Sequence, residues 1–418
     1  MPPQKDQFYE AKHVRTLAAV TAAIAPFATV AVTAPATQAA SVSAVQKADG
    51  QAPAKLEMGA ETPDQPEQAT AWRSIISSLR AKGFDNVQEV SAYSPSMDRH
   101  IPLVVIQPKD KAKRDNAPTL YMLNGADGGE GIANWIRQTD IVSYYGGNDD
   151  ANKGTVSPGI GANIVIPMSG AYSYYTDWIT EPNTPYIKGP QKWETFLTRE
   201  LPQAIEPALK ANDKRAIAGM SMTGTTSLLY AQHHPGFYDS VGSFSGCAAT
   251  TTGLTPKFIN LVLNRGGTDF TKMWGPINGK VARDNDALIN AEKLRGQKNI
   301  YVSTSSGFPG EHDMPWSQRV NGQLSSAARV IFEGSVIEGA TNACTRDLAR
   351  KTNSLNIPVN YNFRPTGTHQ WGYWQDDLRG YWGDLVNGLG TGAKRPPLQP
   401  TKPISPEQYW EGSTSGSR

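Results

Sequence analysis

The chain has 418 residues, a formal net charge of +2 and 19% charged residues. Its Lys and Arg residues are scattered and form no basic run interleaved with aromatics, which excludes nucleic acid as a partner. The length could hold two domains, but the pattern along the chain fits one unit of about 300 residues between irregular ends.

Lys12, His13 and Arg15 precede an apolar run over 17–32, and small residues follow at Ala34-Pro35-Ala36 and Thr37-Gln38-Ala39. This is the layout of a secretion signal, so residues 1–39 are read as a signal peptide cleaved after Ala36 or Ala39. Pro26 and the threonines in the run argue against a permanent membrane span, and no later stretch is apolar enough to cross a bilayer. Residues 40–70 are rich in Ala, Gln, Glu, Lys and Pro without periodicity, which predicts a flexible leader. The main domain is expected over 71–392, and a Pro-rich tail over 393–418.

Within 71–392, strands are predicted near 88–94, 102–107, 118–123, 163–167, 214–219, 240–245, 299–304 and 358–363. Helices are predicted near 71–82, 193–210, 222–234, 325–332, 336–352 and 371–386. This alternation implies a mostly parallel central sheet flanked by helices. Trp193, Phe196, Leu197, Leu201, Ile205 and Leu209 recur at helical spacing and mark a core stripe despite Pro202. Segment 248–298 is broken by Gly266-Gly267 and Gly275-Pro276 and reads as an inserted lid or loop region over the site.

Gly219-Met220-Ser221-Met222-Thr223-Gly224 puts a lone serine at a sharp turn between an apolar strand and a helical run. That is how a hydrolase presents a nucleophile, although the second glycine falls one place later than in G-x-S-x-G. A capped helix start is the plainer reading of the same turn. Gly367-Thr368-His369-Gln370-Trp371 follows a late strand, where a general base belongs in the chain order Ser, acid, His. His100 and His312 are weaker competitors. In Tyr121-Met122-Leu123-Asn124-Gly125-Ala126-Asp127-Gly128-Gly129 a strand runs into a glycine-rich loop. The amides of Ala126 and Met222 would together form a two-donor oxyanion hole. The loop lacks the Lys and the glycine spacing of a phosphate site. Glu311-His312-Asp313 lacks the spacing of a zinc helix and reads as a solvated loop. No metal or cofactor is expected.

With these motifs in order, the chain resembles the mycolyltransferases of the antigen 85 type, in the esterase branch of the α/β-hydrolases. Ser94-Pro95-Ser96-Met97-Asp98-Arg99 is similar to the family's Ser-Pro-Ser-Met-x-Arg, and Leu123-Asn124-Gly125 to its Leu-Asp-Gly. Ser173-Tyr174-Tyr175-Thr176-Asp177-Trp178 resembles Ser-Phe-Tyr-Ser-Asp-Trp, and 367–371 resembles Gly-Thr-His-Ser-Trp. The resemblance spans roughly 88–386. It implies an α/β-hydrolase fold and transfer of mycolic acid between trehalose esters and cell-wall glycan acceptors through an acyl-serine. Family alignment makes Asn124, Ser173 and Trp371 the candidate sugar contacts, while Asp127 stands where the family has Arg. It also points to a triad glutamate near a helix start. Glu338 fits the spacing to His369 and is taken as the acid; Glu333, in Phe332-Glu333-Gly334, fits the local motif and is the runner-up.

Cys247 and Cys344 are the two cysteines, and in an exported chain an even pair suggests a disulfide. The expected product is a secreted cell-envelope enzyme. A plain secreted carboxylesterase is one alternative, and a non-catalytic surface adhesion protein is another, which the intact Ser, His and Glu candidates oppose.

Overall fold

In the computed structural model, residues 50–317, 319–320 and 324–397 are described. The expected signal peptide and most of the expected tail lie outside the described residues. Nine strands form one sheet in the order β1-β2-β3-β5-β4-β6-β7-β8-β9. They are β1 Lys55–Met58, β2 Val87–Ser94, β3 Arg99–Ile106, β4 Thr119–Leu123, β5 Asn163–Pro167, β6 Arg215–Met220, β7 Ser240–Phe244, β8 Ile300–Thr304 and β9 Asn360–Phe363. The β1/β2, β2/β3 and β3/β5 pairs are antiparallel. From β5 through β4 and β6 to β9 every pairing is parallel. Eight of the nine strands were legible as apolar runs. The exception is β1, which falls inside the expected leader: its Lys55, Glu57 and Met58 are exposed, as suits a two-faced edge strand with no apolar run to read.

Side-chain alternation puts successive residues on opposite faces of the sheet. Leu103, Val105, Tyr121 and Leu123 join one core, and Val104, Ile106, Leu120 and Met122 join the other. Helices cover both faces, as a parallel sheet requires. The main ones are α1 Arg73–Ala81, α2 Leu201–Ala208, α3 Met222–His233, α4 Thr255–Arg265, α5 Phe270–Trp274, α6 Lys280–Asp284, α7 Leu324–Ser354 and α8 Trp371–Leu389. Among the described residues no helix is long and apolar enough to cross a membrane.

Two helical expectations change. The stripe from Trp193 is not one regular helix, because a π turn at Phe196–Glu200 precedes α2. This lets Pro202 sit in the first turn of α2, where its missing N–H breaks no bond. The two helices expected over 325–352 are a single helix, α7. Gly334 does not end it; a glycine inside a helix costs only about 1 kcal/mol, and the 368–369 segment packs closely against it. Segment 248–298 carries α4, α5 and α6 and is buried along one side, with Ile259, Leu263, Phe270, Met273 and Trp274 in the core. It is therefore a packed helical insertion.

Candidate active site

Ser221 occupies the turn between β6 and α3 with φ 57° and ψ −120°. A non-glycine residue in that region carries roughly 1–3 kcal/mol of strain and persists only where neighbours enforce it. Here the Ser221 amide donates to the Phe244 carbonyl at 2.8 Å, across from the end of β7. A Cβ on Gly219 would lie 2.4 Å from the Thr223 carbonyl oxygen, and one on Gly224 would lie 2.9 Å from the Gly246 Cα. Both glycines are thus needed for close backbone approach. Thr223, at the position where the usual motif has glycine, closes the turn with its hydroxyl, which accepts from the Met220 amide at 3.0 Å and donates to the Met220 carbonyl at 3.1 Å. The displaced glycine is explained by this hydroxyl and by the contact of α3 with Gly246.

His369 lies on the loop between β9 and α8. Its Nε2 is 2.7 Å from Ser221 Oγ and its Nδ1 is 2.8 Å from Glu338 Oε2. The structure therefore brings Ser221, His369 and Glu338 together, while Glu333, earlier in the same helix, lies exposed. Glu338 sits in the middle of α7 and not at a helix start, so a helix dipole does not account for it. Its side chain is wholly buried. Oε1 accepts from the Ser245 hydroxyl at 2.9 Å, the Thr304 hydroxyl at 3.0 Å and the Ser305 amide at 2.5 Å. Burial pushes the carboxyl up, but the His369 hydrogen bond and charge, with the Ser305 and Ser245 donors, outweigh it and hold it below the ordinary value. The donors to Oε1 went unread in the sequence. Their signal is positional, since Ser245, Thr304 and Ser305 close or follow β7 and β8 at the carboxyl ends of parallel strands, where sites of such sheets form.

Met222 opens α3, and the first amides of a helix have no intrahelical acceptor. The 125–126 loop passes beside Ser221, because a Cβ on Gly125 would be 2.8 Å from Met220 Sδ and 3.9 Å from Ser221 Cβ. The Ala126 carbonyl is fixed by the Tyr172 amide at 2.7 Å. Two expected sugar contacts do not reach the site. Asn124 is fully buried, donating to the Pro167 carbonyl at 2.8 Å and accepting from the Trp135 amide at 3.2 Å. Ser173 is also fully buried, donating to the Gly170 carbonyl at 2.6 Å and accepting from the Tyr175 amide at 3.1 Å. Both are consumed in shaping loops. Trp371 does line the site and meets Trp135 edge to face at 5.2 Å. Of the competing histidines, His100 bonds Ser91 at 3.0 Å and His312 bonds Asp376 at 2.7 Å. Glu311–Asp313 is no solvated loop, for His312 and Asp313 are buried in a 3-10 turn.

Ser221 and His369 open into a cavity of about 480 Å³ walled by α4 and α7, with Ile259, Val262, Val336 and Ile337 among its apolar side chains. The insertion thus forms one wall of the site. Cys247 and Cys344 also line it and are joined in the expected disulfide, with Cα atoms 5.1 Å apart. Asp127 stands at the cavity, its carboxyl pushed up by burial against the pull of the Gly129 amide and Arg265.

A strained serine after a parallel strand, its histidine and a buried glutamate on this sheet define an α/β-hydrolase. The chain belongs to the family described as "Putative esterase", whose model matches residues 94–385. It is 28% identical over 332 residues to the diacylglycerol acyltransferase/mycolyltransferase Ag85A of Mycobacterium leprae, covering 77% of this chain and 90% of that protein. It is also 28% identical to Ag85B of Mycobacterium intracellulare, covering 66% of this chain and 77% of that one. The crystal structure of Mycobacterium tuberculosis MPT51 (FbpC1) shares the fold, with a TM-score of 0.55, 21% identity, and coverage of 72% of this chain and 98% of that one. The likeness to the antigen 85 type read from the motifs therefore extends over most of the chain.

Proposed function

We propose that this protein is an exported serine acyltransferase that moves mycolic acid from trehalose monomycolate to trehalose esters or cell-wall arabinogalactan. The observation that carries the reading is the unbroken relay from Glu338 through His369 to Ser221. In the first half-reaction Ser221 Oγ attacks the ester carbonyl as its proton passes to His369 Nε2. Glu338 orients the imidazole and stabilises its cation. The amides of Ala126 and Met222 receive the negative charge on the tetrahedral oxygen. Collapse breaks the bond to the sugar oxygen, which leaves with the proton from His369, and the acyl group remains on Ser221. In the second half, an acceptor hydroxyl gives its proton to His369 and takes the acyl group, restoring Ser221. The apolar cavity between α4 and α7 suits an acyl chain. Export agrees with the disulfide, which favours an oxidising compartment.

Simple ester hydrolysis is the second reading, favoured by the engagement of Asn124 and Ser173 in backbone hydrogen bonds, which leaves Trp371 alone of the three expected sugar contacts. The test is mass spectrometry of the purified protein after exposure to trehalose monomycolate. An acyl adduct on Ser221 that is discharged faster by added trehalose than by water supports transfer. Discharge unaffected by trehalose supports the esterase, and no adduct rejects both.

A further inference from the structure

Asp313 is fully buried and has no part in the relay described above. Its two oxygens accept four hydrogen bonds. Oδ1 accepts from the Thr368 hydroxyl at 2.5 Å and from Gln370 Nε2 at 3.2 Å. Oδ2 accepts from the Gly310 amide at 2.8 Å and from the Tyr373 hydroxyl at 2.6 Å. Thr368 and Gln370 are the residues immediately before and after His369, so a single carboxylate grips the catalytic loop on both sides of the base. Burial and Asp313 together push the Tyr373 phenol up, so this partner stays a donor. Four donors satisfy an accept-only group that would otherwise be expensive to bury.

The grip has a firm base and a matching restraint opposite. The Glu311–Asp313 turn is tied to α8 by His312, whose Nε2 is 2.7 Å from Asp376 Oδ2. A Cβ on Gly372 would lie 2.4 Å from His312 Cγ, so the turn and the start of α8 are in direct contact. On the other side the His369 amide donates to the Gly334 carbonyl of α7 at 3.1 Å. The loop is thereby suspended between Asp313 and the helix that carries Glu338. We propose that Asp313 is a positioning residue, holding Thr368 and Gln370 so that the His369 ring faces Ser221 with one nitrogen and Glu338 with the other. This rests on the reading of Ser221, His369 and Glu338 as the triad.

The test measures hydrolysis of a short-chain p-nitrophenyl ester and labelling of Ser221 by a fluorophosphonate in the full chain. Misplacing a base by about an ångström can lower rates around a hundredfold. Asp313→Asn should lower kcat about tenfold to a hundredfold with KM within about twofold, a split that loss of folded protein would not produce once the active sites are titrated. Thr368→Val should act in the same direction and Thr368→Ser should recover the wild-type kcat. The double variant Asp313→Asn, Thr368→Val should be no slower than Asp313→Asn alone, because both remove one link. Thr368→Val with wild-type kcat, or a double variant showing the full product of the single losses, overturns the proposal. Thr368→Val decides it even if Asp313→Asn does not fold. Wild-type protein that neither labels at Ser221 nor turns over ester rejects the triad itself, whereas normal labelling with unaffected variants rejects only the role of Asp313.

Discussion

Ser221, the proposed nucleophile, and its two partners are built in opposite ways. Ser221 is held by main chain: a strand, a strained turn, a helix start and two glycines that let backbones touch. Glu338 and His369 are held largely by side chains that converge from the ends of β7 and β8, from α7 and from the 311–313 turn, with the Ser305 amide and the Gly334 carbonyl added. The first arrangement is local and leaves a short motif in the sequence. The second depends on residues far apart in the chain, so it tolerates a long helix through the middle of the site and is exposed to any change that moves α7.

The sharpest contrast comes from Ser221→Ala, which should lower ester turnover by a factor on the order of a million with no change in unfolding midpoint. Activity within a few-fold of wild type would show that the elbow is only a helix cap. On the other side, Glu338→Gln should lower kcat by about 10⁴, as a misoriented imidazole does in other triads, while Glu333→Gln leaves it unchanged. A crippled Glu333→Gln would move the acid to the exposed position. The depressed carboxyl of Glu338 adds a sign: its stabilisation is full above the ordinary carboxylate range and is lost as pH falls through its folded value. Glu338→Gln should therefore reduce the dependence of the urea midpoint on pH below about 4.

The bridge between Cys247 and Cys344 ties the two regions, as it joins the segment after β7 to α7 six residues beyond Glu338. For a separation of 97 residues the chain-entropy account allows up to roughly 4–5 kcal/mol, read as a lower urea midpoint in Cys344→Ser. This variant should also lose kcat at temperatures where circular dichroism shows it folded. Unchanged kinetics would separate the bridge from the acid. Gly334→Ala is a smaller probe. The new Cβ would lie 3.1 Å from the His369 nitrogen and 3.2 Å from Thr368 Cβ, while helix propensity gains about 1 kcal/mol. A several-fold fall in kcat with an equal or higher melting temperature is expected; a fall in both would mean that α7 and not the loop gives way.

The smallest effect belongs to the helix that follows Ser221. At the end of α3, His233 Nδ1 lies 2.9 Å from Glu194 Oε1 and its Nε2 lies 3.0 Å from the Asp284 carbonyl, so both nitrogens bond only when the ring is an imidazolium. Burial pulls the His233 ring down, but Glu194 and the Asp284 carbonyl hold it above its ordinary value. Burial likewise opposes the Glu194 charge, yet His233 and His234 hold that carboxyl down at about 2. The His233 contribution is full below about 6.5 and fades as pH rises through its folded value; the Glu194 contribution is full above about 4.3 and fades toward pH 2. Urea midpoints should decline on both flanks, and Glu194→Gln should flatten both while leaving the kcat at neutral pH intact. Flanks that persist in Glu194→Gln would place the titration elsewhere.

Sequence alone determined the features that local backbone chemistry dictates. Eight strands followed from apolar runs, Ser221 from its elbow, His369 from its place after the last strand, and the Cys247–Cys344 pair from cysteine number in a chain read as exported. Where the family motif and the spacing disagreed, tertiary structure decided. Glu333 and Glu338 share one helix, and only packing buries Glu338 against Ser245, Thr304 and Ser305 while leaving Glu333 exposed. It likewise turned Asn124 and Ser173 into backbone struts and made Asp313, read as part of a solvated loop, a buried anchor. A side chain's partner across the fold is set by which chain segments meet, and a hydrogen bond between residues dozens or hundreds of positions apart leaves no periodicity for a single sequence to display.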